Sequence, residues 1–297
     1  KIIAPLNEEE LKTLQPEVLL TFGGLVVSKK IKKFLRQFKP NHHWHVGLFN
    51  ANDTFFCIEK HIQLTPNTFL GELLPQVSQI KSSDFKSTWI NIRNKRRNKQ
   101  VDYLKTIPFS DFVVFNSILK YLPKQSQLQV GNSSAIRYTQ LFHLHESINV
   151  FCNRGTSGID GSTSTAIGAS LAADVQTTFI TGDLSFFYDS NALWNNYIPN
   201  SFRVIVVNNG GGGIFRILPG HKNTSNYDTF FETKHNLNAE QLCKMYSFDY
   251  CSATNEIALK NALNDFFNDS IQPKLLEVFT PSHINDEILL DFFRFIK

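Results

Sequence analysis

The chain has 297 residues, 42% of them hydrophobic and 19% charged, with a formal net charge of +4. That length and apolar content suffice for two domains with real cores and exclude a disordered chain, and so mild a positive balance gives no argument for nucleic acid. No apolar run approaches the roughly 18 residues needed to span a bilayer, and the start KIIAPLNEEELKTL lacks the apolar core and cleavage site of a signal peptide. Cys57, Cys152, Cys243 and Cys251 lie far apart with no C-x-x-C pair. Neither a zinc knuckle nor a disulfide framework is expected, and a reducing cytoplasm fits best. The first residue is Lys and not Met, so the chain reads as a processed or truncated piece.

Apolar and β-branched runs alternate with helical patterns from the start: a strand over 18–22, a helix over 29–37 and a strand over 44–47, the rhythm of a parallel α/β sheet. This first unit is expected over 1–82. A polar, charged stretch with few breakers over 83–105 reads as one exposed connecting helix, and its basic run Arg93, Lys95, Arg96, Arg97 and Lys99 as a solvated face. The second unit is expected over 106–297. Its strand candidates are 128–130, 148–151, 177–181, 204–207 and 275–279, near-continuous apolar runs that imply burial on both faces. Between them lie helices, among them the small-residue stretch 164–173 and 256–267, with Ile257, Leu259, Ala262, Leu263 and Phe266 on or near one face. The fold class is therefore α/β with doubly wound parallel sheets.

Ligands of such sheets bind beyond the carboxyl ends of the strands. The run TTFIT ends in Gly182, Asp183, Leu184 and Ser185, and RVIVV ends in Asn208, Asn209 and the glycines 210–213. On neighbouring strands, Asp183 and Asn209 would converge at one sheet edge. A carboxylate and a carboxamide oxygen suit Mg²⁺, which takes one or two protein oxygens at about 2.1 Å and leaves the rest to phosphate and water; the carbonyl of Gly211 could add another. Ser185 and the amides opening the following helix would meet a diphosphate with donors and a favourable dipole. Asp and Asn are also ordinary turn residues, so the residue types alone leave both readings open. Neither G-x-G-x-x-G between strand and helix nor G-x-x-x-x-G-K-[ST] occurs, which sets aside a Rossmann or P-loop cradle. The segment His42, His43, His45 sits on a strand-like run without a partner cluster and is read as strand, not as a metal site.

The spacing adds a resemblance. G-D, 24 residues between Asp183 and Asn208, then N-N is similar to the signature of thiamine diphosphate enzymes, with Leu184 in place of the glycine usual after G-D. The stretches 131–133 (GNS), 153–162 (NRGTSGIDGS), GDLSFFYDSNAL from Gly182 and 208–215 (NNGGGGIF) together resemble the 2-succinyl-5-enolpyruvyl-6-hydroxy-3-cyclohexene-1-carboxylate synthases of menaquinone biosynthesis. The likeness covers nearly the whole second unit and reaches the first more thinly, through 23–30.

What this resemblance implies is a diphosphate-binding domain preceded by a partial central α/β domain. It implies thiamine diphosphate with Mg²⁺, or Mn²⁺ in its place, held by Asp183, Asn209 and Gly211, with Gly182, Leu184, Ser185 and Ile159 also at the cofactor. Such enzymes decarboxylate 2-oxoglutarate and add the four-carbon carbanion to isochorismate. Their substrates are polyanionic, and Arg154, Arg137 and Lys29, with Ser133 beside them, match positions that contact carboxylates; an arginine fork suits a carboxylate held at two points. Ile159 would be the bulky residue that bends the cofactor, and Ile214, Phe215 and Leu218 apolar walls. The activating glutamate of the family belongs to an amino-terminal pyrimidine-binding domain, supplied across a homodimer or homotetramer, and nothing here resembles that domain. The piece alone is expected to lack turnover. Another thiamine diphosphate decarboxylase, an acetohydroxyacid synthase relative, or a non-catalytic scaffold are the alternatives.

Overall fold

The computed structural model describes residues 2–77, 83–218, 224 and 226–297. They form two compact units, Lys1–Asp102 with Phe293–Lys297, and Tyr103–Phe292. The boundary expected at residue 82 falls in 78–82, outside the described residues.

In the first unit, β1 (Val18–Phe22), β2 (His42–Val46) and β3 (Lys60–Ile62) make a parallel sheet in that order. The chain enters through α1 (Glu8–Thr13), opened by a reciprocal cap in which Glu10 N donates to Asn7 Oδ1 at 2.8 Å and Asn7 N to Glu10 Oε2 at 3.0 Å. Then come α2 (Lys29–Gln37), α3 (Pro66–Leu73) and α4 (Phe85–Leu104). Leu14, Phe34, Leu35 and Phe55 form the core. The helix expected as an exposed connector is more than that: Trp89 and Ile92 of α4 pack on this core, and Arg96 and Gln100 are buried. A polar sequence hid an inward face, because Arg96 covers apolar surface with its long stem while its Nη2 lies 3.9 Å from Glu10 Oε1. The histidines of β2 make strand-type contacts; His43 and His45 both bond Thr21 Oγ1.

The second unit is built on β4 (Gln127–Val130), β5 (Asn149–Cys152), β6 (Thr177–Gly182), β7 (Arg203–Asn208), β8 (Asp249–Ala253) and β9 (Lys274–Phe279). All pair in parallel in the order β5-β4-β6-β7-β9-β8. Its helices are α5 (Asp111–Tyr121), α6 (Ser134–Thr139), α7 (Ser162–Leu171), α8 (Asp183–Tyr188), α9 (Ile214–Ile217), α10 (Glu240–Met245), α11 (Glu256–Phe266) and α12 (Asn285–Phe295). Burial on both faces holds for β7 throughout and for nearly all of β6 and β9, but not for β5, where Val150 and Phe151 are exposed. The reason is position: β5 is an edge strand. At the other edge lies β8, whose polar sequence DYCSA carries no apolar run and gave no strand signal. Ile257 also departs from expectation. It is 74% exposed, whereas Leu259, Leu263 and Phe266 turn α11 onto the sheet.

Two cores sandwich this sheet. One gathers Ala166, Ile167, Phe179, Phe186, Phe202 and Val204. The other is aromatic and centres on Phe112, whose ring lies 4.7 Å from Phe292 and 5.1 Å from Phe142, with Phe115 stacked on Tyr138 at 5.2 Å. Between β4 and β6 the winding reverses, because the chain goes from β4 outward to β5 and then returns to the opposite side of β4. That switch point opens a crevice at the carboxyl ends, where sheets of this kind take ligands.

Candidate active site

Gly131 follows β4 and Asp183 follows β6, so the crevice is flanked by the two motifs GNS and GDLS. Packing there is tight: a Cβ on Gly131 would stand 2.7 Å from Thr181 Oγ1. Asp183 begins α8 and is only 3% exposed. Its neighbour in the sheet is β7, with Gly182 in register with Val207, so the Asn208 to Gly213 loop emerges beside it. The two loops meet. Gly211 N donates to Asp183 Oδ2 at 2.9 Å, and Leu184 N donates to Asp183 Oδ1 at 2.7 Å.

The two asparagines do different work. Asn208 is buried and shapes the loop: its Oδ1 accepts Gly210 N at 3.1 Å, and its Nδ2 donates to Glu277 Oε1 at 2.8 Å and to Leu237 O at 3.0 Å. Glu277, fully buried, also accepts Ala239 N and the Tyr250 hydroxyl, each at 2.9 Å. Asn209 donates its Nδ2 to Asp111 Oδ2 at 3.0 Å, and its Oδ1 accepts no hydrogen bond among the described residues. Glycine is required here for space as well as for backbone freedom. Gly211 has φ +149°, and a Cβ on it would sit 2.6 Å from the carbonyl oxygen of Glu232; one on Gly212 would sit 2.9 Å from that of Phe231. The Gly211 carbonyl accepts Gly213 N at 3.0 Å and retains a second lone pair.

Asp111, at the first turn of α5, is 3% exposed. Burial pushes its carboxyl pKa up to about 6; the hydrogen bonds from Thr280 and Asn209 act against that rise and the charge of Asp183 adds to it. His235 faces Asp183 from the far side of the glycine loop, with Nε2 3.3 Å from Asp183 Oδ2 and Nδ1 accepting Leu237 N at 3.1 Å. Although it lies this close to the carboxylate, His235 Nε2 makes no hydrogen bond among the described residues. Glu232 closes the loop from outside: its carbonyl accepts Gly212 N at 2.6 Å and its carboxylate pairs with Arg216.

This donor set fits a small hard cation. It offers a buried carboxylate, a carboxamide oxygen that accepts no hydrogen bond among the described residues and a backbone carbonyl, all oxygens; no group of three or more His, Cys, Asp or Glu able to hold a metal occurs among the described residues. Ser162 and Thr163, at the start of α7, keep buried hydroxyls with no partner among the described residues, as a phosphate-binding turn would. The Ser185 hydroxyl donates to the Ile159 carbonyl and so fastens the loop carrying Ile159.

The cationic pair is also brought together. Arg154 Nη1 donates to Asn132 Oδ1, and Asn132 is itself fixed by donating to Gly158 O at 2.8 Å. Arg137 Nη1 donates to Ser133 O at 2.6 Å. Loss of water and the positive charge of Arg154 both hold the Arg137 pKa below its ordinary value. Each guanidinium thus lies within the other's field, and a nearby anion would relieve that repulsion. Ser133 carries φ +67°, a conformation rarely adopted by a non-glycine residue and often found where a site needs it. Ile214 is buried, Phe215 meets Phe231 edge-on at 5.6 Å, and Leu218 is 42% exposed. Lys29 belongs to the first unit, where it opens α2 and is exposed.

Sequence reasoning missed Asp111, Thr280, His235 and Glu277. Asp111 is an acidic residue in a helix first turn, as many are, and the other three carry no local motif; only the fold brings them to the loop.

Residues 129–278 match the family described as thiamine pyrophosphate enzyme, C-terminal TPP binding domain. The chain is 53% identical over 293 residues to the 2-succinyl-5-enolpyruvyl-6-hydroxy-3-cyclohexene-1-carboxylate synthase of Flavobacterium psychrophilum, an alignment covering 99% of this chain and 53% of that protein. Proteins of the same name from Christiangramia forsetii and Porphyromonas gingivalis are 54% and 37% identical, over 98% and 100% of this chain and 50% and 53% of their own lengths. The chain spans about half the length of the curated relatives it matches.

Proposed function

The chain belongs to the thiamine pyrophosphate enzymes, whose C-terminal TPP binding domain it carries, and on that premise we propose that it supplies the diphosphate half of the active site of a 2-succinyl-5-enolpyruvyl-6-hydroxy-3-cyclohexene-1-carboxylate synthase. The carrying observation is the hydrogen bond from Gly211 N to Asp183 Oδ2, which joins the two motif loops at the carboxyl ends of adjacent strands. Asp183, the Asn209 amide oxygen and the Gly211 carbonyl would hold Mg²⁺, or Mn²⁺ in its place, as the anchoring point for a diphosphate. Thiamine diphosphate, when bound, would supply a carbon nucleophile and an electron sink for decarboxylation of a 2-oxo acid. Ile159 would prop the cofactor, while Ile214 and Phe215 would keep water from it; a low-polarity wall disfavours the charged reactant over the neutralised product.

Arg154 and Arg137 orient the carboxylates of 2-oxoglutarate and isochorismate, with Ser133 beside them. Asn132 and the Ser133 carbonyl pre-set the two forks, which limits the ordering cost at binding. The proposed activity is that of a homo-oligomeric, cytoplasmic protein in which this half-site meets a pyrimidine-binding domain; the 297-residue chain by itself is expected to turn over nothing.

Steady-state kinetics of the full-length protein with both substrates tests the reading. Arg154→Ala should lower kcat/KM by about ten- to a hundredfold, the value of one lost hydrogen bond from a charged donor, and 2-oxoglutarate should be decarboxylated in preference to pyruvate. A preference for pyruvate would hand the assignment to another branch of the family.

A further inference from the structure

A cation at Asp183 needs the oxygen of the Asn209 carboxamide, yet a carboxamide presents an oxygen and an NH₂ group of almost the same shape. Something must select the face. Asp111 Oδ2 receives Asn209 Nδ2 at 3.0 Å, and its other oxygen receives Thr280 Oγ1 at 2.6 Å. The main chain is pinned as well: Asp111 N donates to Asn285 Oδ1 at 2.9 Å, and Asn285 Nδ2 in turn donates to Pro281 O at 2.9 Å. The next residue, Phe112, is fully buried in the aromatic core.

An ionised carboxylate only accepts hydrogen bonds. Facing Asp111, Asn209 must therefore turn its nitrogen inward and its oxygen away. The ordinary job of an acidic residue at a helix start is to favour its own helix dipole, but the Asp111 side chain bonds residues 98 and 169 positions away and none in α5. Asp111 and Thr280 both lie outside the 129–278 family match.

We propose that Asp111, braced by Thr280, is a positioning residue that fixes the Asn209 amide with its oxygen toward the cation. This rests on the reading of Asn209 as a metal ligand. Removing an outer partner of a metal ligand typically costs ten- to a hundredfold in metal affinity.

The test is calorimetric binding of thiamine diphosphate to the full-length protein at stepped Mg²⁺ concentrations, for wild type, Asp111→Leu and Asp111→Asn. Asp111→Leu should raise the Mg²⁺ concentration for half-maximal binding by roughly ten- to a hundredfold, with full stoichiometry returning at high Mg²⁺. Asp111→Asn, which keeps one acceptor oxygen for Asn209 but no longer excludes the inverted amide pair, should fall between wild type and Asp111→Leu. A folded Asp111→Leu protein with the wild-type Mg²⁺ requirement overturns the proposal, as does Asp111→Asn impaired as badly as Asp111→Leu. Absence of any Mg²⁺-dependent binding by wild type sinks the cation reading and this proposal with it.

Should Asp111→Leu fail to fold, wild type still decides through NMR of metal-free, ¹⁵N-asparagine-labelled protein, with Asn209 assigned from Asn209→Ser. Its side-chain NH₂ protons should exchange slowly with solvent; free exchange would overturn the proposal.

Discussion

The two ends of β7 carry the same kind of material to opposite purposes. At the amino end Arg203 is fully buried, yet every arm of its guanidinium is satisfied: Nε donates to Phe266 O at 2.8 Å, Nη1 to Asn200 O at 2.6 Å and Nη2 to Asn268 O at 2.6 Å. Five residues later the strand ends at Asn208 and runs out into Asn209. There Asn208 is saturated, whereas the Asn209 nitrogen bonds Asp111 and its oxygen has no donor among the described residues. Polar groups whose bonds are all made inside the protein hold a fold together. Polar groups left short of a partner, on a scaffold too rigid to collapse around them, are what a ligand can use.

Breaking the saturated end should cost stability and leave the site alone. Arg203→Met keeps the length of the side chain but strands three carbonyls, and a loss of about 3 kcal/mol or more is expected. Denaturant titration should show the midpoint fall with little change in slope. The folded variant should bind Mg²⁺ and thiamine diphosphate as wild type does. Gly211→Ala probes the opposite end with a smaller effect on stability. A methyl group 2.6 Å from the Glu232 carbonyl, on a backbone at φ +149°, must displace the loop at a cost of about 1–3 kcal/mol. Because the moving amide is the one that donates to Asp183, cofactor binding should weaken far more than the stability change implies. A variant that binds normally would show that the loop geometry is incidental.

The same contrast explains what was legible in the sequence. Central strands such as VIVV and TTFIT announced themselves because both faces are buried and the apolar run is unbroken. The edge strand DYCSA did not, since an edge strand of mixed polarity has the composition of a loop. Residues 85–104 were readable as a helix from their lack of breakers, but the inward turn of Arg96 depends on a core formed by distant segments. At the site, Asp183, Asn209 and the glycines stood out through spacing and position after strands. Asp111, Thr280 and His235 act through tertiary contacts alone, and no pattern local to any of them distinguishes it from a helix start, a strand end or a loop histidine.

Asp183 is the proposed charged anchor of the cation. Calorimetry of thiamine diphosphate binding with and without Mg²⁺, on full-length wild type and Asp183→Ala, tests it most directly. Binding should require Mg²⁺ in wild type and vanish in Asp183→Ala, because the cation loses its one carboxylate ligand, while the thermal unfolding midpoint shows the variant still folded. Undiminished, Mg²⁺-dependent binding by Asp183→Ala would contradict the account.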